Sequence, residues 1–165
     1  MRYNIKRFRW PLITLILILT IASVGFYVTT ATAFPQNPST EIYFNKIANM
    51  PYTVTSGPHP ETFWQQGGDC DDRARVFANY LKSKGAEDVQ ICWMARYDKN
   101  GKMIPGYDRS MGHEFIVWHN RAYNPSINQT RRYYDADLNE YLAFMKDLNG
   151  FNTFYYENQT VGIPF

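Results

Sequence analysis

The segment over residues 70–84 has the strongest local pattern in the chain and limits what can be built around it. Its apolar side chains recur at the spacing of one helical face, at Ala74, Phe77, Ala78 and Leu81. Asp69 is a candidate N-cap, Asp72 stands where a capping box has its acid, and Gly85 suits the end of the helix. The pattern predicts an amphipathic helix that begins at Cys70.

Strand-like runs dominate the chain after this helix. They are predicted at residues 89–97, 114–118, 121–124 and 151–157. Further helices are predicted from Ser39 or Thr40 to Asn49 and over residues 137–149. Helices that accompany antiparallel strands define an α+β fold. The length of 165 residues suits one domain, which we place at residues 39–165.

The N-terminal residues have the composition of a membrane or export segment. Residues 1–10 carry four basic side chains, residues 11–28 are almost wholly apolar, and residues 29–38 form a predicted linker. The apolar stretch reaches the lower end of a membrane span, roughly 17–25 residues. The basic flank predicts a single-pass anchor with the C-terminal domain outside the cytoplasm. The alternative is secretion after signal cleavage following Ala33.

The charge pattern argues against a nucleic-acid partner. The formal net charge is +2, but the basic side chains of residues 1–10 account for it, and the rest of the chain is slightly acidic. No basic patch stands out along the sequence. The membrane and a protein or peptide at the cell surface are the expected partners instead.

Cys70 lies in a polar run, residues 67–73, that is typical of a reactive thiol rather than of a core. The one other cysteine, Cys92, lies in an apolar run. A thiolate at a helix N-terminus is favoured by the partial positive charge there, which predicts a lowered pKa. Both cysteines are expected to be free thiols, and a disulfide between them is the alternative outside the cytoplasm.

Asp69, Asp71 and Asp72 form an acidic cluster around this cysteine. Their charges raise the pKa of a nearby thiol unless the side chains point away or meet Arg73, Arg75 or a cation. A solvated helix start is the preferred interpretation. A calcium site is the alternative, since calcium requires about 6–8 oxygen ligands. No resident metal or other cofactor is therefore predicted.

His113 and Asn124 are predicted to point to the same side of a β-hairpin. If His119 and Asn120 form a two-residue turn, residues facing one another across the hairpin have opposite parity. His113 and Asn124 are then diagonal neighbours, about 7–8 Å apart at the backbone. Three apolar residues share their face: Phe115, Val117 and Ala122. We expect the cysteine helix to pack on this face and so bring Cys70 toward His113.

These residue types predict a thiol hydrolase. Cys70 attacks a carbonyl carbon, His113 takes and later returns the proton, and Asn124 orients the imidazole. The backbone N–H of Cys70 is the expected donor to the oxyanion. Gln65 and Gln66 are candidates for a second donor from the preceding loop.

The same motifs resemble those of the transglutaminase-like cysteine peptidases of the papain-like superfamily, especially the bacterial transglutaminase-like proteinases of the periplasm. The matching pieces are Gly68-Asp69-Cys70-Asp71-Asp72, Gly112-His113 at a strand start, and Tyr123-Asn124-Pro125, where the family usually has Asp-Pro. They span roughly residues 60–127. The resemblance implies a cysteine-first helix packed on an antiparallel sheet, and thiol chemistry on amide bonds.

Two classes of function follow from these residue types and this resemblance. The first is a membrane-anchored, extracytoplasmic cysteine peptidase or amidase that hydrolyses an amide bond in a cell-surface protein or wall peptide. A transpeptidase or crosslinking enzyme is a variant of it. The second is a catalytically inactive surface-binding domain with the same fold. Asn124 replaces the family's usual aspartate, although papain-like proteases use a Cys-His-Asn triad.

Overall fold

The computed structural model describes residues 38–100, 102–104, 111–126, 133–157, 159 and 162–165. The helices are α1 (Pro38–Ala48), α2 (Phe63–Gln66), α3 (Cys70–Ser83) and α4 (Leu138–Asn149). The strands are β1 (Gln90–Ala95), β2 (His113–Trp118), β3 (Arg121–Asn124), β4 (Tyr133–Asp137), β5 (Thr153–Tyr156) and β6 (Ile163–Pro164).

The six strands form one antiparallel sheet in the order β4-β3-β2-β1-β5-β6. This is the α+β architecture with an antiparallel sheet that the sequence predicted. The predicted helices and strands are confirmed to within two residues at their ends. Three elements were not predicted, namely α2, β4 and β6.

The predicted fold class is wrong in placing a transmembrane helix ahead of this domain. Within the described residues no helix is long and apolar enough to cross a membrane. The longest of them, α3, has 14 residues, whereas a membrane span needs about 20. The segment predicted to span, residues 11–28, lies outside the described residues.

The hairpin formed by β2 and β3 confirms the predicted register. Val117 pairs with Ala122 across a two-residue turn. The turn residues, His119 and Asn120, both have positive φ, 49° and 58°. Such a turn matches the twist of the flanking strands and keeps the pairing in step. The parity that places the side chains at positions 113 and 124 on one face is therefore correct.

The helix on that face is α4, not the cysteine helix as predicted. Its residues join the buried side chains of the sheet in one core, which includes Phe115, Val117, Ala122, Tyr141, Leu142 and Met145. Helix α3 packs on the opposite face, where the ring centroids of Phe77 and Tyr123 are 5.8 Å apart. Residues 115–118 of β2 are all buried, so β2 is apolar on both of its faces. The sequence pattern of β2 therefore does not indicate which helix packs on which face of the sheet.

Candidate active site

Cys70 is the first residue of α3, and its partly buried side chain is a free thiol. The thiol faces the backbone N–H of Glu114, the residue that follows His113 in β2. The start of the cysteine helix and the start of β2 therefore meet at one end of the sheet. Cys92 is also a free thiol, and it is fully buried in β1.

His113 and Asn124 are in contact. Asn124 is fully buried, and its side chain forms a hydrogen bond with His113 that favours the protonated ring. Nδ2 of Asn124 donates to the hydroxyl of Tyr141 at 2.9 Å, and Oδ1 accepts from the Ser126 N–H at 3.0 Å. Because Nδ2 is engaged by Tyr141, Oδ1 is the atom of the amide that is available to the imidazole. The structure thus brings all three residues of the expected triad to one end of the sheet.

The His113 imidazole is neutral at neutral pH. Burial lowers its pKa to about 4, and the hydrogen bond with Asn124 offsets only part of this effect. Nε2 of His113 is buried and makes no hydrogen bond of normal geometry to a described residue. Nε2 of His113 is therefore available to accept a proton.

The thiol of Cys70 is also neutral at neutral pH, so the predicted lowering of its pKa is wrong. Burial raises the pKa of Cys70 to about 11, and the charges of Asp69, Glu114 and Asp71 act in the same direction. The backbone N–H of Glu114 opposes them. A helix N-terminus contributes about 0.3–1 kcal/mol at an exposed site, which is less than the cost of ionising an enclosed thiol.

The aspartates beside Cys70 bind the preceding loop rather than the start of the helix. Asp72 is buried and accepts from the Thr55 hydroxyl at 3.1 Å and from the backbone N–H of His59. Asp69 accepts from the Thr55 N–H at 3.2 Å and makes no capping hydrogen bond to the described helix. Asp69 does occupy the N-cap position, as predicted, but its side chain does not cap the helix and the predicted capping box is wrong. Both side chains fix the loop instead.

Asp71 lies between Cys70 and Asp72 at the start of α3, and its carboxyl group has a raised pKa. Burial raises its pKa to about 7, and the hydrogen bond with Asp69 and the charge of that residue add to the effect. One oxygen from each of Asp69, Asp71 and Asp72 lies within 4.8 Å of the other two, and of the described residues these three could hold a cation. The calcium alternative stays a prediction.

Arg73 connects the parts of the site instead of neutralising the aspartates. Its buried guanidinium donates to the carbonyl oxygens of Ile47, Ala48, Met50, Gly68 and Pro125. These carbonyls belong to the end of α1, to the segments before the cysteine and to the residue after Asn124. Arg73 therefore fixes the cysteine helix against the end of β3.

The predicted second oxyanion donors lie elsewhere. Gln65 and Gln66 are exposed on α2, and Nε2 of Gln66 donates to the Thr62 hydroxyl at 2.9 Å. Neither lines the cavity of about 330 Å³ that contains His113. Tyr52 does line that cavity. Sequence reasoning did not find Tyr52, since it stands in a loop without a periodic pattern.

A larger cavity, about 610 Å³ in volume, is lined in part by Glu114, whose backbone N–H faces the thiol of Cys70. Aromatic and charged side chains line it, among them Trp93, Tyr97, Tyr155, Tyr156, Arg75 and Glu157. Arg75 pairs with Glu157 at 2.7 Å and with Glu114 at 3.8 Å.

Comparisons of the chain with models of known protein families, with characterised proteins and with solved structures give no match. The functional interpretation therefore depends on the geometry and chemistry of the residues described above.

Proposed function

We propose that this protein is a cysteine peptidase or amidase that uses Cys70, His113 and Asn124. The observation that carries the proposal is the placement of the Cys70 thiol at the N–H next to His113, while Asn124 contacts the imidazole of His113. A nucleophile, a neutral base and a group that orients the base are the parts that thiol hydrolysis requires.

In the acylation step His113 removes the thiol proton as the sulfur of Cys70 attacks the carbonyl carbon. The carbon–sulfur bond forms and the carbonyl π electrons move to oxygen, which gives a tetrahedral oxyanion. When this collapses, the carbon–nitrogen bond breaks and the imidazolium of His113 gives its proton to the amine. The products of this step are a thioester on Cys70 and a free amine.

In the second step water attacks the thioester. His113 takes a proton from the water, the carbon–sulfur bond breaks, and the proton returns to the sulfur of Cys70. His113 is present in its base form at neutral pH for both proton abstractions, and its lowered pKa makes it a weaker base than an ordinary imidazole. An amine in place of water gives transpeptidation by the same steps.

The test is alkylation by iodoacetamide at neutral pH followed by peptide mapping, with buried Cys92 as the internal reference. We expect Cys70 to react much faster than Cys92 and to lose that advantage in His113→Ala. Hydrolysis of a mixed peptide library then gives the bonds that are cut. A Cys70 that reacts no faster than Cys92 in the folded protein contradicts the proposal.

The second candidate is a non-catalytic surface-binding domain, and the environment of the thiol favours it. Burial and the neighbouring carboxylates raise the pKa of Cys70 to about 11, which keeps it in the less nucleophilic form. The large aromatic cavity would then be the binding surface. Two results together would distinguish this function from the first. Cys70→Ala would bind a ligand as well as the wild-type protein does, and the wild-type protein would hydrolyse nothing.

The substrate class we propose is a protein or wall peptide outside the cytoplasm. Its support is the basic flank of residues 1–10 and the apolar run of residues 11–28, which together are typical of export. Protease added to intact cells reaches an exported domain. Digestion that occurs only after lysis contradicts this location.

A further inference from the structure

Tyr52 is held next to the cysteine by the backbone on both of its sides. The Pro51 carbonyl accepts from the Gly68 N–H at 3.2 Å, and the Thr53 N–H donates to the Gly68 carbonyl at 3.4 Å. The Thr53 hydroxyl donates to the carbonyl of Gln66 at 3.1 Å. Residues 51–53 therefore run along the segment that enters α3.

The side chain of Tyr52 reaches the end of the cysteine helix. Its hydroxyl lies at the backbone N–H of Cys70, and its ring is 5.4 Å from the guanidinium carbon of Arg73. The residue also lines the 330 Å³ cavity that contains His113, although 56% of it is exposed. The hydroxyl thus lies at the backbone N–H that would donate to a substrate carbonyl oxygen.

We propose that the Tyr52 hydroxyl is the second hydrogen-bond donor to the oxyanion that forms when Cys70 attacks a substrate carbonyl. The inference rests on the proposed thiol hydrolase. The first donor is the backbone N–H of Cys70, which belongs to the first turn of α3 and has no intrahelical partner. Two donors aimed at the same developing charge form an oxyanion hole.

The state of the hydroxyl fits this role. Partial burial raises the pKa of Tyr52 to about 12, with the charges of Cys70 and Asp69 as further causes. The phenol therefore keeps its proton at neutral pH and can donate it in a hydrogen bond. When a substrate oxygen enters, the Tyr52 oxygen gives up its contact with the Cys70 N–H, and both groups turn to the oxyanion.

Two reactions of the same thiol separate this role from others. Acylation of Cys70 by p-nitrophenyl acetate passes through an oxyanion, whereas alkylation by iodoacetamide displaces iodide and forms none. In Tyr52→Phe the ring over Arg73 is retained and only the hydroxyl is removed. We expect the acylation rate to fall by about 10²-fold while the alkylation rate stays unchanged. The matched control is Tyr43→Phe, whose ring stacks on Tyr80 away from the cavity.

An acylation rate in Tyr52→Phe that equals or exceeds that of the wild-type protein overturns the role of Tyr52. An equal fall in both rates also overturns it, since the hydroxyl would then act on the thiol and not on the oxyanion. A wild-type Cys70 that is neither acylated nor alkylated overturns the proposed hydrolase and this inference with it. Thermal melting of each variant checks that the fold is intact.

Discussion

Asn124 at the end of β3 donates from Nδ2 to the hydroxyl of Tyr141 on α4, at 2.9 Å. Both residues are fully buried. The bond leaves Oδ1 of Asn124 for the His113 ring and for the Ser126 N–H. The group that orients the proposed base is therefore itself oriented by a residue from the helix on the same face of the sheet.

Tyr141→Phe should reduce both stability and activity. The Asn124 amide would lose its buried partner, and a buried donor left unsatisfied costs about 1–3 kcal/mol. The amide could then rotate and expose its NH₂ group to the imidazole. Urea unfolding and kcat on a cleaved peptide measure the two effects. Tyr133→Phe, whose ring contacts that of Tyr141, is the control. Wild-type stability and kcat in Tyr141→Phe would show that this hydrogen bond has no role.

Asn124→Asp should remain active at neutral pH and shift the acid limb of the pH–rate profile upward. A carboxylate beside His113 favours the imidazolium and so raises the pKa of His113 from about 4. Because the neutral ring is the proposed base, activity should then be lost at a higher pH on acidification. The pH dependence of kcat/KM in both proteins measures this. An acid limb that stays in place or moves downward contradicts the contact between the two residues.

The losses of activity caused by removing Cys70 and by removing His113 should not be additive. Cys70→Ala should abolish hydrolysis with little loss of fold, and His113→Ala should be nearly as severe, because members of one catalytic unit depend on one another. The double variant should then be no worse than Cys70→Ala alone. Steady-state rates on one peptide decide this, with His59→Ala as a control for a partly exposed histidine. Full activity in His113→Ala would mean that another group is the base.

Asp71→Asn should be more stable than the wild-type protein at mildly alkaline pH and not at acid pH. The pKa of Asp71 in the folded state, about 7, is above its value of 3.8 in the unfolded chain. The folded state therefore binds the proton more tightly, and the stability this gives is lost as the pH rises through about 7. Asparagine resembles the protonated form at every pH.

Thermal melting across this pH range tests the prediction, with Asp147→Asn on the exposed side of α4 as the control. The same substitution should speed alkylation of Cys70, since the charge of Asp71 contributes to the raised pKa of the thiol. A difference in Tm that is the same at acid and alkaline pH would contradict the raised pKa of Asp71.

Arg73→Met should be strongly destabilising. It leaves buried carbonyl groups of the loop and of Pro125 without their charged donor, and each such hydrogen bond contributes about 1.5–3 kcal/mol. The free energy of unfolding in urea measures the loss. Lys82→Met, at an exposed position of the same helix, should change it little. A loss no larger than that of Lys82→Met would mean that the carbonyls find other partners.

The sequence allowed the local elements to be predicted well, because each has a physical signature of its own. The cysteine helix has an apolar face, and the hairpin has a two-residue turn that determines parity and register. The strand β4 was missed because its residues are only partly buried, and Asp135 within it has a φ of 54°. Tyr133 and Ala136 both pack on the core although they are three residues apart, and the pairing with β3 shifts register, so the core-facing side chains do not follow a two-residue alternation.

The site was harder to predict because its supporting contacts join distant parts of the chain. The candidate triad could be named from residue types and spacing. The choice of face for α3 could not, since both faces of β2 are apolar. The carbonyl ligands of Arg73 and the position of Tyr52 depend on loop conformation, which leaves no pattern in the sequence. The raised pKa of Cys70 follows from burial, and the sequence does not show how deeply the thiol is enclosed.

The order of these residues along the chain determines when the site can form during translation. The proposed nucleophile, Cys70, is made first, the proposed base, His113, is made later, and Tyr141 of α4 is made after both. A chain still attached to the ribosome with α4 inside the exit tunnel has Cys70 and His113 but lacks the hydroxyl that holds Asn124 in place. The hydrogen bond that positions Asn124 can therefore form only after translation has passed α4, so the unfinished chain lacks part of the proposed catalytic site.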